Sequence, residues 1–234
     1  MSPAEELQAL DQRAYKPAPE VLQAIGGVSL IMAVAPQGAG KTTVMNEAIR
    51  QSELRLVIGD TSRPPRPGEK HGIHNYHRDL ADMLEDVRAH RYVQIAITPD
   101  HATLYATKPE HYYPEGIGTK EVYAHAVEQF RALPFKAVYA AFVVRASFDD
   151  WLNSFNANTQ EMPEEIRRHR WQEARQSYEF ALGDEQMRFV LNDTIAAAAQ
   201  RFLQVARGQT PSDETFARKT AEQNLVKLNK QVAL

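Results

Sequence analysis

Nine residues in the first fifth of the chain, Ala35-Pro36-Gln37-Gly38-Ala39-Gly40-Lys41-Thr42-Thr43, combine two permissive glycines, one cation and two hydroxyls. Gly38 and Gly40 let successive backbone N–H groups turn inward round phosphate oxygens, and a helix starting at Lys41 would add its positive end. Lys41 would then reach the outer phosphates of a nucleoside triphosphate, and the Thr42 hydroxyl would ligate Mg²⁺. The pattern G-x-x-x-x-G-K-[ST] has one departure here, Ala35 in place of the first glycine. If that position needs a positive φ, alanine costs on the order of 1 kcal/mol.

A second cluster follows the predicted helix: Asp60-Thr61-Ser62-Arg63-Pro64-Pro65-Arg66-Pro67-Gly68-Glu69-Lys70-His71-Gly72. Two arginines three apart, stiffened by prolines, can bring forked donors onto one phosphate. The neighbouring His71, His74 and His77 are spaced for a metal site, but no cysteine accompanies them and Gly72 breaks a common helical face. They are read as loop histidines near the bound phosphate.

These groups need a scaffold that holds a strand, a tight turn and a helix in sequence. Apolar runs predict strands at Val28–Ala35, Leu54–Ile58, Tyr92–Thr98, Ala102–Thr107, Ala137–Val144 and Phe189–Leu191. Helical spacing is expected at 4–14 (stopped by Pro17 and Pro19), Lys41–Ser52, Leu80–His90, Val122–Leu133, Phe148–Phe155, Glu164–Leu182 and Thr194–Arg207. A last helix carries a stripe of Phe216, Leu225, Leu228 and Val232. Strands alternating with helices predict an α/β fold, a P-loop NTPase core with a mostly parallel sheet flanked by helices. The Arg- and Pro-rich stretch 60–117 reads as an inserted subdomain.

Composition narrows the classes. The 234 residues carry 27 Lys and Arg against 30 Asp and Glu, a net charge of −3, which argues against coating a nucleic acid polymer by charge. Cysteine is absent, which excludes disulfide scaffolds, cysteine nucleophiles and thiolate metal sites. The longest apolar runs are too short to span a bilayer, and Met1–Ala14 is unlike a signal peptide. The expectation is a cytoplasmic protein without membrane attachment.

Together the two motifs resemble the guanylate kinase family of nucleoside-monophosphate kinases. The phosphate loop matches at Gly38-Ala39-Gly40-Lys41-Thr42, and the family's T-T-R-x-x-R-x-G-E-x-x-G stretch reads Thr61 to Gly72. The resemblance runs from about Val28 to Val205. It implies transfer of a phosphoryl group from ATP to a nucleoside monophosphate, GMP foremost, with Mg²⁺. It also implies an acceptor-binding subdomain at about 60–117 and a helical lid at about 146–170, within a domain of residues 28–207. Residues 1–27 and 208–234 stand outside that domain, and the last helix is expected to pack on it or on a second subunit, as in a homodimer.

Carried over by position, Gly38 to Thr43 and Asn192 bind ATP. Arg63, Arg66, Tyr76, Gln94, Tyr105 and Thr107 bind the acceptor. Lys41, Arg63, Arg66 and Arg170 serve catalysis. Departures fall mostly on base recognition: Gln94 stands for a glutamate and Gly59 for a serine. One lid arginine is Asn158, and the family's aspartates after the second core strand have no clear match, Glu121 or His125 falling nearby without a fixed correspondence. Two alternatives follow, a kinase of the same fold with another acceptor and a catalytically decayed protein-binding module.

Overall fold

The structure, a computed structural model, describes residues 3–11, 15–98 and 101–232. In chain order the elements are α1 (Pro3–Asp11), α2 (Pro19–Ile25), β1 (Ser29–Val34), α3 (Lys41–Arg50), β2 (Arg55–Leu56), β3 (Asp60–Thr61), β4 (Tyr76–His77), α4 (Leu80–Arg88), β5 (Gln94–Ile97), β6 (Leu104–Thr107), β7 (Ile117–Glu121), α5 (Val127–Arg131), β8 (Ala137–Arg145), α6 (Phe148–Thr159), α7 (Glu164–Gly183), β9 (Arg188–Asn192), α8 (Ile195–Ala206) and α9 (Glu214–Val232). They fall into two compact units, one of residues 1–29, 56–118 and 129–137, the other of 30–55, 119–128 and 138–234.

The larger unit is built round a five-stranded sheet in the order β2-β7-β1-β8-β9. β1 is almost wholly buried, as its unbroken apolar run Leu30–Val34 requires of a strand covered on both faces. β8 and β9 run parallel, and their register pairs Val144 with Leu191 and Arg145 with Asn192. Two polar residues therefore stand side by side where the apolar runs end, at the carboxyl edge of the sheet where ligands of open α/β folds gather. Two helices start at side-chain caps: Ser147 accepts from Asp150 N–H at the head of α6, and Thr194 from Ala197 N–H at α8.

Several elements differ from expectation: the stretch Thr61–His77, read as loop from its Pro, Gly, Arg and His content, begins and ends in the two-residue strands β3 and β4, which pair with each other. β7 falls where no strand is expected, because Ile-Gly-Thr-Lys-Glu has no apolar alternation. Its place between β2 and β1 rests on backbone pairing rather than on a hydrophobic face. The helix expected at Val122–Leu133 is instead a 3₁₀ turn at Ala124–Ala126 followed by the five residues of α5. α2 is unexpected, yet Pro19 sits in its first turn, where a missing N–H costs nothing.

The stripe expected on α9 is also displaced. Phe216 is 58% exposed, and the buried face is Ala217, Thr220, Ala221, Asn224 and Leu228. Two alanines at i and i+4 let the helix lie close, and Arg218 donates to the Leu182 carbonyl and covers the Phe189 ring. The side chain of Val232 lies outside the described residues, as do residues 12–14 of the first expected helix and the turn at Pro99-Asp100.

The smaller unit has a four-stranded sheet, β4-β3-β6-β5, with β3 and β4 parallel and the other pairs antiparallel. One face packs on α4 and α1 through Leu7, Met83, Leu84, Val87, Tyr92, Leu104 and Ala106. Beside this apolar cluster the buried Asp60 accepts from Arg78 at 2.8 Å and from the Tyr92 hydroxyl at 2.9 Å. Burial alone would raise the Asp86 carboxyl, but hydrogen bonds from Lys108, Arg78 and Arg91 hold it below the usual carboxylate range.

Leu7 is buried in this core although it lies in the N-terminal segment. Leu7→Ala is expected to cost about 2–5 kcal/mol, read as a lower urea midpoint. An unchanged midpoint would show that α1 is not part of the core.

Candidate functional site

The phosphate-loop motif lies in the larger unit. Gly38 and Gly40 both have φ of +85°, the left-handed conformation that favours glycine. Space requires them too. A Cβ on Gly38 would come within 2.9 Å of the Phe155 backbone, and one on Gly40 within 2.6 Å of the Asn192 amide nitrogen. Ala35 is not among the positive-φ residues, so its alanine carries no backbone strain.

A loop that turns its N–H groups inward leaves its carbonyls facing out, and buried carbonyls need donors. Three consecutive carbonyls find them in side chains. Trp151 Nε1 donates to Gln37 at 3.0 Å, Arg145 Nε to Gly38 at 3.3 Å and Asn192 Nδ2 to Ala39 at 2.8 Å. Asn192, assigned to ATP by resemblance, thus touches the loop itself.

Lys41 and Thr42 open α3 and share one partner. Lys41 Nζ lies 3.2 Å from one Glu121 carboxylate oxygen, and the Thr42 hydroxyl donates to the other at 2.5 Å. Thr43 follows, exposed, in the first turn. Glu121 ends β7, the strand that periodicity misses, so its approach to the loop was legible only through the sheet order. A hydroxyl beside a carboxylate is a hard oxygen pair of the kind that binds Mg²⁺, so the residues present fit that ion.

Arg170, on α7, bonds Glu173 at 2.7 Å. Burial disfavours its charge, but Glu173 and the Tyr123 hydroxyl outweigh that and keep it cationic. Its Nε is buried without a hydrogen-bond partner.

The arginine motif lies in the smaller unit. Arg63 forks onto Glu69 with two bonds of 2.7 Å, and its Nε donates to the Tyr105 hydroxyl at 3.0 Å. The Arg66 backbone N–H donates to the same carboxylate at 2.9 Å, and its side chain is exposed. The Arg63 bonds foremost, then the Arg66 N–H, hold the Glu69 carboxyl at about 2.

Strand register sorts the remaining acceptor residues. Thr61 opposes Tyr105, and Gln94 opposes Thr107, so these four share one face. Asp60 opposes Ala106 and pairs with Tyr76, which places Tyr76 on the other face. There it stacks on His111, with centroids 5.1 Å apart. The structure therefore does not bring Tyr76 to Arg63. His77, the next residue, takes that position: its Nδ1 lies 3.0 Å from the Arg63 carbonyl, and its buried Nε2, otherwise unpartnered, is 3.8 Å from Glu69.

Gln94 and Thr107 are buried and engaged. Gln94 Nε2 donates to the Ile95 carbonyl at 2.5 Å and to Gln129 at 3.3 Å, and the Thr107 hydroxyl meets that of Tyr112 at 2.9 Å. His71 and His74 each accept a backbone N–H through Nδ1, from His77 and Lys70.

No family model matches the chain. A guanylate kinase from Gluconobacter oxydans is 50% identical over 59 residues, 24% of this chain and 27% of that protein. One from Frankia casuarinae is 29% identical over 188 residues, 77% of this chain and 98% of the relative. The first relatives are thus matched over about a quarter of their length and the Frankia protein over nearly all of it. A crystal structure of guanylate kinase from Anaplasma phagocytophilum superposes with a TM-score of 0.54, covering 80% of this chain and 89% of that one at 17% identity. That likeness establishes the α/β P-loop fold.

The Arg63–Glu69 pair gives a pH prediction. The Glu69 pKa is depressed in the folded state, so the pair's stabilisation is present above the ordinary value near 4.5 and is lost as pH falls from there toward 2. NMR titration of the Glu69 carboxyl should show a midpoint near 2, rising toward the ordinary value near 4.5 in Arg63→Ala, short of it by what the Arg66 N–H still contributes. An equal midpoint in both proteins would show that Arg63 does not hold the carboxylate.

Proposed function

We propose that this chain, which belongs to the guanylate kinase family, transfers the γ-phosphoryl group of Mg·ATP to a nucleoside monophosphate, with GMP the foremost acceptor. One observation carries the reading. Lys41, Thr42 and Glu121 meet beside a phosphate loop whose glycines are conformationally required and whose carbonyls are braced from outside. A decayed module would have no need of that arrangement.

The residues divide the work between donor and acceptor. Loop amides from Gly38 to Thr43 would cradle the donor phosphates. Lys41 would leave Glu121 for the more highly charged phosphate oxygens and stabilise the charge that builds on them during transfer. Thr42 and Glu121 are the groups that would hold Mg²⁺, which supplies further neutralisation of phosphate charge when bound.

In the acceptor unit, Arg63 and Arg66 would grip the monophosphate, with Tyr105 and His77 beside them. Glu69 holds the Arg63 fork oriented until an anion competes for it. An oxygen of the acceptor phosphate attacks the γ-phosphorus, and the bond to the β–γ bridging oxygen breaks, leaving ADP and a nucleoside diphosphate. The attacking oxygen is already ionised at neutral pH, so no general base is assigned. Arg170, on the segment read as the lid, would add charge stabilisation at the transferred group.

Base preference is the finer question. Gln94 can accept one and donate one hydrogen bond to a base edge, whereas a carboxylate would accept both guanine donors. Since its amide is engaged with Ile95 and Gln129, an acceptor other than GMP is the second reading.

Lys41→Ala is expected to abolish nucleotide-dependent ADP formation. Arg63→Ala should lower kcat/KM for the acceptor by about 10–100-fold, matching the roughly 1.5–3 kcal/mol of hydrogen bonds to a charged group. Steady-state kinetics with acceptor varied at saturating ATP measures both. Wild-type turnover in Lys41→Ala would overturn the assignment of the loop.

A further inference from the structure

The geometry points to Arg145 as a third cation for the donor's terminal phosphates. The inference rests on the donor-site reading above and adds to it a residue that neither motif contains.

Arg145 stands at the carboxyl end of β8, the first polar residue after the buried run Ala140–Val144. Its side chain lies against the backbone of the phosphate loop. Nε donates to the Gly38 carbonyl, and Nη2 and Cζ lie 3.4 and 3.6 Å from the place a Gly40 Cβ would occupy. The absence of a side chain at Gly40 is what lets the guanidinium lie against the loop backbone.

The charge there is uncompensated. The arginines of the other polar clusters differ: Arg63 has Glu69, Arg78 has Asp60 and Asp86, and Arg170 has Glu173. Among the described residues Arg145 has no ion pair, and its side chain makes one hydrogen bond, to a neutral carbonyl. Four of its five N–H donors are thus free beside a loop that gathers amides. A guanidinium with open donors and no counter-ion is free to take an anion without first giving up an ion pair. The loop's chemistry supplies the class of anion, a polyphosphate, and a planar fork suits its oxygens.

Its position is also fixed from behind. Asn224 of α9 donates to the Arg145 carbonyl at 3.3 Å, and Asn192, its register partner on β9, braces the next loop carbonyl. A side chain fixed at its backbone and at Nε presents its Nη groups with little freedom left to lose on binding.

The alternative is a neutral brace for Gly38. Arg145→Gln separates the two, since an amide can still donate to that carbonyl but carries no charge. Calorimetry with inorganic tripolyphosphate should show binding at least tenfold weaker in Arg145→Gln, with the melting temperature within about 2 °C of wild type. kcat should fall by about 100-fold, the scale of one lost transition-state donor. Millimolar guanidinium should restore part of that loss in Arg145→Ala.

Unchanged tripolyphosphate affinity, or a loss that tracks a fallen melting temperature, would overturn the assignment and leave the kinase reading intact. Weaker tripolyphosphate binding in a protein that phosphorylates no monophosphate would sustain Arg145 and defeat the kinase reading.

Discussion

A phosphate loop keeps amides available for its ligand, so its outward carbonyls need donors from elsewhere in the fold. That constraint organises the larger unit. The carbonyls of Gln37, Gly38 and Ala39 are taken in turn by Trp151, Arg145 and Asn192. Those donors come from the start of α6 and the ends of β8 and β9. The parallel register that pairs Arg145 with Asn192 is therefore part of the loop's geometry, and α9 joins it by fixing Arg145 through Asn224. Glycine at 38 and 40 is required twice, by the left-handed backbone and by the atoms that crowd each Cβ position.

The smaller unit answers a related problem with charge. Arg63 is ordered by Glu69 and Tyr105, so its fork is oriented before any phosphate arrives. A competing dianion must displace one carboxylate, an exchange of like interactions that costs less than ordering a free side chain. On the opposite face Asp60 and Asp86 collect Arg78, Arg91, Lys108 and the Tyr92 hydroxyl, tying α4 to the strands at their polar edge.

Much of this was legible in the sequence. The loop from Gly38 to Thr43 and the pair Arg63 and Arg66 carry their chemistry in residue type and spacing, and the strand before and helix after the loop follow from periodicity. What escaped depends on partners distant in the chain. β7 has no apolar pattern because backbone pairing places it, and without that strand Glu121 could be named but not set beside Lys41 and Thr42. Tyr76 and His77 differ by one residue, and in a strand one residue is the other face of the sheet. The α9 stripe misleads because Ala217 and Ala221, small and inconspicuous, allow the close packing that leaves Phe216 outside.

The most direct measurement is ADP release from Mg·ATP with GMP, dGMP, AMP, CMP, UMP and dTMP as acceptors. Release that depends on GMP, with the nucleoside diphosphate formed in equal amount, is the expected result. ATP binding without release for any of the six would contradict phosphoryl transfer to a nucleoside monophosphate.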